Sequence, residues 1–191
     1  ADVAGSLPKA LSQIGHQVVV ATAKHGINNP EGFRFKRLKK KISVKVDSEK
    51  ISCHLDQSDL EPNLPVYFIT NQRFFDEEKA VYGHDDARRF YLLAKAFLQL
   101  PKVIGFKPDI IHCNDWHTGL VPILLKKDPQ SYQDLAKSKA IFTIHNLEYQ
   151  GDLYWRDLVG EKKDDGHSNL PGFNSKKVQS INFKSSPKSS G

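Results

Sequence analysis

The 191-residue chain contains no methionine and only two cysteines, Cys53 and Cys113. Two cysteines cannot build the disulfide framework on which small secreted domains depend, so a reducing compartment is expected. No apolar run approaches the roughly 20 residues that a membrane-spanning helix needs. No signal-peptide pattern opens the chain. Zinc-finger, RNP and helix-turn-helix spacings are missing, and there is no internal repeat. Neither a membrane nor a nucleic-acid partner is expected. The first residues, "ADVAGSLPKAL", already read as helix with no strand before them. With the lack of methionine, the chain is expected to be a fragment whose true start is missing.

What is present suffices for one compact domain, with 39% hydrophobic and 26% charged residues. The formal charge of +6 is concentrated in "FRFKRLKKKISVKV", residues 33–46, and in a Lys-rich tail. Ile42, Val44 and Val46 alternate there with Ser43 and Lys45, which reads as a hairpin strand with one solvated face rather than a nucleic-acid surface.

Leu7, Leu11 and Ile14 fall at helical spacing, with Gly15 as the expected C-cap and the helix proper starting near Pro8. "HQVVVATA" reads as a strand, residues 33–56 as an antiparallel hairpin, and "LPVYFITN" as a strand. After Asp85 and Asp86, expected to satisfy the free N–H groups of a helix start, "ARRFYLLAKAFLQL" carries one apolar helical face. "KPDIIHCND" is a strand, "TGLVPILLKKD" a helix and "KAIFTIHN" a strand. Unalternated apolar runs point to strands covered on both faces, hence an α/β, Rossmann-like, mostly parallel sheet. Residues 1–151 form this unit. Residues 152–191 are Ser-, Lys- and Gly-rich and are expected to be irregular, with at most a short helix near "SKKVQSI".

The strand runs end at Lys24-His25, Asn71, Asn114-Asp115 and His145-Asn146. In an open parallel sheet such ends share one rim. The densest cluster is "IIHCNDWHTG", residues 110–119. On a strand His112 and Cys113 face opposite sides, and no second ligand pair occurs at usable spacing, so no metal site is expected. Cys113 reads as a small buried hydrophobe and His112 as a possible core histidine. Asp115 stands where an N-cap would, and Trp116 is equally suited to a core and to stacking on a sugar.

"ADVAGSLPKALSQIGHQV", "DIIHCNDWHTGLVP" and "IFTIHNLEYQG" closely resemble the bacterial glycogen synthase and plant starch synthase family. "VYGHDDARRFYLLAKA" resembles that family's Tyr-Gly-x-Asp-x-x-x-Arg-Phe segment, and "LPGF…INF" its continuation more weakly. The resemblance implies the N-terminal half of a B-type, two-domain glycosyltransferase fold. It implies transfer of glucose from a nucleotide sugar, usually ADP-glucose, to the 4-hydroxyl at the non-reducing end of an α-1,4-glucan, with retention and without a metal or other cofactor. It places His145 at the reacting glucose as the catalytic position, Asp2 near the donor, and Asp115, Tyr82 and Trp116 on the acceptor. Asn146, Tyr149 and Gln150 would shape the loop. The family's Lys-x-Gly-Gly loop would precede Ala1, and its nucleotide-binding C-terminal domain is absent, so the fragment alone is expected to be inactive. A bacterial cytoplasm or a plastid is the implied location. A sucrose-phosphate- or trehalose-type synthase, or a non-catalytic glucan-binding fragment, are the competing readings.

Overall fold

In a computed structural model of the chain, residues 2–25, 34–76, 81–82 and 85–148 are described. The expectations for residues 149–191, Tyr149 and Gln150 among them, and for the side chain of Asp2 lie outside the described residues.

The first helix, α1 (Asp2–Gln13), ends as the sequence predicts. Gly15 has φ 96°, its N–H donates to Ser12 O and that of His16 to Leu11 O, a turn that favours a residue without Cβ. Its start differs: Pro8 lies inside the helix rather than near its beginning. A proline there removes only the donor to the Ala4 carbonyl. Ala4 is exposed, so water can take that acceptor. Lys9 Nζ, 3.2 Å from Glu61, ties α1 to the sheet.

One sheet has the order β1-β4-β3-β2, from β1 (Val20–Ala23), β2 (Lys36–Val46), β3 (Glu49–Glu61) and β4 (Leu64–Thr70). β1 and β4 are parallel, whereas β3 is antiparallel to both β4 and β2. β2 is therefore an edge strand. Its lysines face water while Ile42, Val44 and Val46 are buried, the charged-edge arrangement that discourages strand addition. A separate pair, β5 (Ile110–Asn114) and β6 (Lys139–Thr143), is parallel. The fold is α/β and Rossmann-like, with an antiparallel hairpin extending one edge of the first parallel pair.

Between these pairs runs α2 (Asp86–Ile104), packed against β2 and against α3 (Leu120–Lys127). It buries residues nearly all round, from Ala87 through Leu100, as a helix enclosed on several sides must. Gly105, φ 75°, closes it by donating to Pro101 O. Asp85 does not cap this helix through its side chain, and Asp86 instead pairs with Arg89. The buried Arg89 guanidinium gains its counter-charge from this pair.

β5 and β6 are less covered than their apolar runs predict. In Ile110–Asn114 only Cys113 is buried, and Ile110 is 51% exposed. The physical reason is the width of the sheet: β5 pairs only with β6 among the described residues, and two strands offer little surface for mutual shielding.

Candidate functional site

The parallel register sets Asn114 beside Thr143, so the ends of β5 and β6 emerge side by side. The Asp115 N–H donates to Thr143 O at 2.9 Å. Asp115 then turns the chain with φ 59° and ψ 175°, a region that is essentially glycine's and costs an L-residue about 1–3 kcal/mol. Strain of this kind persists only where surrounding contacts hold it. Here the contact is explicit. Asp115 Oδ1 accepts the His145 backbone N–H at 2.7 Å. The neighbouring Asn114 Oδ1 lies 3.0 Å from His145 Nε2. Among the described residues no hydrogen bond takes up His145 Nδ1 or its carbonyl.

Asp115 is therefore not a side-chain N-cap. The turn Trp116–Thr118 has no side-chain cap bond, and it is held by Thr118, whose N–H and Oγ1 both donate to the Asp115 carbonyl. Gly119 lets this turn close, because a Cβ there would stand 3.2 Å from the Trp116 carbonyl. His112 is exposed rather than a core histidine, with Nε2 2.7 Å from Thr143 Oγ1. Cys113, on the other face, is 3% exposed. Burial pushes its thiol up to about 11, against a smaller pull from Thr118. Among the described residues no three His, Cys, Asp or Glu side chains converge as metal ligands would.

Beside this clamp lies a group of rings. Trp116 and His117 have centroids 4.2 Å apart at 27°, and Tyr82 lies near-parallel to both, 5.8 Å from Trp116 and 5.4 Å from His117. Buried Phe90, on α2, meets Trp116 and His117 edge-on at 4.9 Å. Such edge contacts contribute about 0.5–1.5 kcal/mol each beyond area burial. Tyr82 is outermost, 51% exposed, and its hydroxyl is 3.0 Å from His117 Nε2. Desolvation holds the His117 ring below its ordinary imidazole pKa, although Asp115 and Asp86 pull it upward.

The ends of the first sheet are linked to the same place. His25 follows β1, and its Nδ1 lies 3.3 Å from Arg89 Nη2. Arg89 is 1% exposed, donates to Phe74 O at 2.7 Å and to Asp86 Oδ1 at 2.8 Å, and directly precedes Phe90. Lys24 is taken by a structural partner, with Nζ 3.1 Å from Asp56, which Arg37 also pairs. Asn71 bonds Ser52 O and the Phe74 N–H. Among the described residues, His145 Nδ1 and the His145 carbonyl take no hydrogen bond, whereas Lys24, His25 and Asn71 brace the fold.

The structure brings together Asp115, Trp116, Tyr82 and His145. Asn146 accepts the Glu148 N–H through Oδ1 at 2.9 Å, which fits a loop-shaping residue. Asp2 stands at the start of α1, the helix that packs on the other sheet. Three residues at the site were assigned no role from the sequence. Asn114 was visible as a strand-end amide, and His117 as an imidazole next to Trp116. Arg89 stands at the Arg of the family's Tyr-Gly-x-Asp-x-x-x-Arg-Phe pattern, but no role was read for it, since a charged residue on a helix reads as solvated.

A family model described as the starch synthase catalytic domain matches residues 1–184. A glycogen synthase of Anaeromyxobacter sp. (strain Fw109-5) is 40% identical over 155 residues, covering 78% of this chain and 31% of the relative. The glycogen synthase of Bacillus subtilis (strain 168) is 37% identical over 173 residues, 87% of this chain and 35% of the relative. The solved catalytic domain of starch synthase IV from Arabidopsis thaliana, bound to ADP and acarbose, aligns with a TM-score of 0.76 and 31% identity over 93% of this chain and 34% of that one. The chain thus spans about a third of the length of the relatives it matches. It belongs to the starch synthase catalytic-domain family of glycosyltransferases.

Proposed function

We propose that this domain supplies the acceptor wall of an enzyme that moves glucose from a nucleotide sugar, ADP-glucose, to the 4-hydroxyl at the non-reducing end of an α-1,4-glucan. The observation that carries the reading is the pairing of the two features at the β5–β6 rim. A histidine is clamped at its amide and its Nε2, and a patch of near-parallel rings lies beside it. Rings offer an apolar face to a pyranose, while the second oxygen of Asp115, without a hydrogen bond among the described residues, suits a glucan hydroxyl. The ADP and acarbose bound to the Arabidopsis enzyme support this assignment of donor and acceptor.

In the transfer, the bond from glucose C1 to the diphosphate oxygen breaks and a bond from C1 to the acceptor O4 forms. The O4 proton passes to the departing diphosphate. With retention, the acceptor attacks on the face that the diphosphate leaves. Positive charge grows at C1 in the transition state. The His145 carbonyl and Nδ1, fixed before substrate arrives, are suited to stabilise it. The scheme requires no metal. Asp2 is assigned to the donor side by its match to the family's Asp after the phosphate loop, and cytoplasm or plastid is the compartment that the family implies.

The test has two arms. Calorimetric titration of maltoheptaose into the 191-residue chain is expected to show binding, and a chain that binds none would overturn the acceptor-wall reading. In a radiolabelled ADP-glucose assay with glycogen, the chain alone is expected to transfer no glucose, because the reacting groups meet only when a second domain closes over them. Incorporation within about tenfold of a full-length homologue, roughly 1.4 kcal/mol in barrier, would contradict that.

A further inference from the structure

The geometry points to His117 as a positioning residue that holds Tyr82 against Trp116, so that the outermost ring of the acceptor wall keeps one orientation. This rests on the acceptor-wall reading above and assigns a role to a side chain that reading does not use.

Tyr82 is half exposed and stands outside any helix or strand. A solvent-facing ring in a connecting segment has no packing reason to keep one orientation. Yet its plane lies within 16° of Trp116 and 23° of His117. Among the described residues its hydroxyl has one polar partner, His117 Nε2 at 3.0 Å. His117 is itself fixed from the other side. It stacks on Trp116 at 4.2 Å and meets buried Phe90 edge-on. Its backbone belongs to the tight turn that Thr118 and Gly119 close. Orientation thus passes from the buried face of α2 through Phe90 to His117, and from His117 Nε2 to the Tyr82 hydroxyl. A glucan that stacks on a preset pair of rings avoids the entropy of ordering Tyr82 on binding.

The experiment compares the 191-residue chain with H117Q, H117F, Y82F and the double variant H117F/Y82F. Glutamine places an amide nitrogen near the Nε2 position, so H117Q keeps the polar contact. Phenylalanine keeps the stacking and removes that contact. The first readout needs no ligand: cross-relaxation in NMR between the ring protons of residue 82 and those of Trp116. It is expected in the unaltered chain and in H117Q, and is expected to be lost in H117F and Y82F. The second readout is the dissociation constant for maltoheptaose. H117F and Y82F should each weaken it about three- to tenfold, in line with loss of one hydrogen bond. The double variant should be no weaker than either single one, and H117Q should stay within about twofold of the unaltered chain.

Ring contacts that survive in both H117F and Y82F would overturn the proposal. So would additive losses in the double variant, or an H117Q chain as weak as H117F. Should the unaltered chain bind no maltoheptaose, the acceptor-wall reading fails, and the ring contacts alone decide whether His117 positions Tyr82.

Discussion

The carboxylate of Asp115 accepts the backbone N–H of His145 at 2.7 Å, from a backbone conformation that glycine adopts and aspartate resists. The two residues are thirty positions apart and sit at the ends of adjacent parallel strands. The bond preorganises His145 and pins the strained turn that carries Trp116 and His117.

That pairing predicts an unusual order of stabilities. Asp115→Ala loses the bond and keeps the strain. Asp115→Gly loses the bond and relieves the strain, a gain of about 1–3 kcal/mol, against about 0.4–1 kcal/mol from glycine's freedom in the unfolded chain. Urea unfolding is expected to find Asp115→Gly the more stable of the two variants. Equal midpoints, or the reverse order, would show that the backbone at 115 is unstrained in solution.

His145→Ala, made in an enzyme that joins this domain to its donor-side partner, should lower kcat far more than it raises the acceptor KM. A group that acts on charge in the transition state changes the chemical step, whereas uniform binding changes KM. Steady-state kinetics with glycogen as the varied substrate decide it, and an unchanged kcat removes His145 from the catalytic role.

His117 makes stability depend on pH. Its folded pKa lies below the ordinary 6.5 because burial disfavours the imidazolium, with Asp115 and Asp86 opposing and the Tyr82 hydroxyl alongside. The unfolded chain therefore binds more protons than the folded chain between the folded pKa and 6.5. Stability is full above 6.5 and falls as pH drops through that window. His117→Gln should lose less stability than the unaltered chain between pH 7.5 and pH 5, measured by denaturant unfolding at each pH. The half-buried His54, whose pKa desolvation also lowers, remains in both chains as an internal control.

Both thiols should be inert in the folded chain. Burial pushes Cys53 up to about 12 and Cys113 up to about 11, and the thiolate is the reactive form. Ellman's reagent at pH 8 is expected to label neither cysteine until urea unfolds the chain. Rapid labelling of one thiol without denaturant would mean that its strand opens locally.

Asp86→Ala should be among the most damaging substitutions on α2. It leaves the Arg89 guanidinium buried without its carboxylate, and an uncompensated buried charge costs about 3–5 kcal/mol. A loss under about 1 kcal/mol in denaturant unfolding would show that Phe74 O and His25 suffice to hold Arg89.

Much of this protein is legible along the chain because the signals are local. The apolar spacing of Phe90, Leu93, Ala94, Phe97 and Leu98 predicts α2, Gly15 predicts the end of α1, and the alternation of Ile42, Val44 and Val46 predicts the inward face of β2. Each depends on the helical or strand period, or on a backbone angle that one residue type tolerates best. The blocks around Asp115 and His145 carry the family in the same way, as ordered strings. Which of these residues meet is a different question. The register that sets Asn114 beside Thr143 puts two polar groups on His145. A slip of one residue would turn every side chain of β6 to the other face, and nothing within either strand records which register holds. The Arg89–His25 and His117–Tyr82 contacts span 64 and 35 positions, and each exists only because packing on α2 closes those distances. The sequence by itself determined the elements and the family, through periodicity and local backbone preference. The tertiary structure decided the clamp on His145, the strain at Asp115 and the ring patch, since hydrogen bonds and ring contacts between distant residues depend on register and packing.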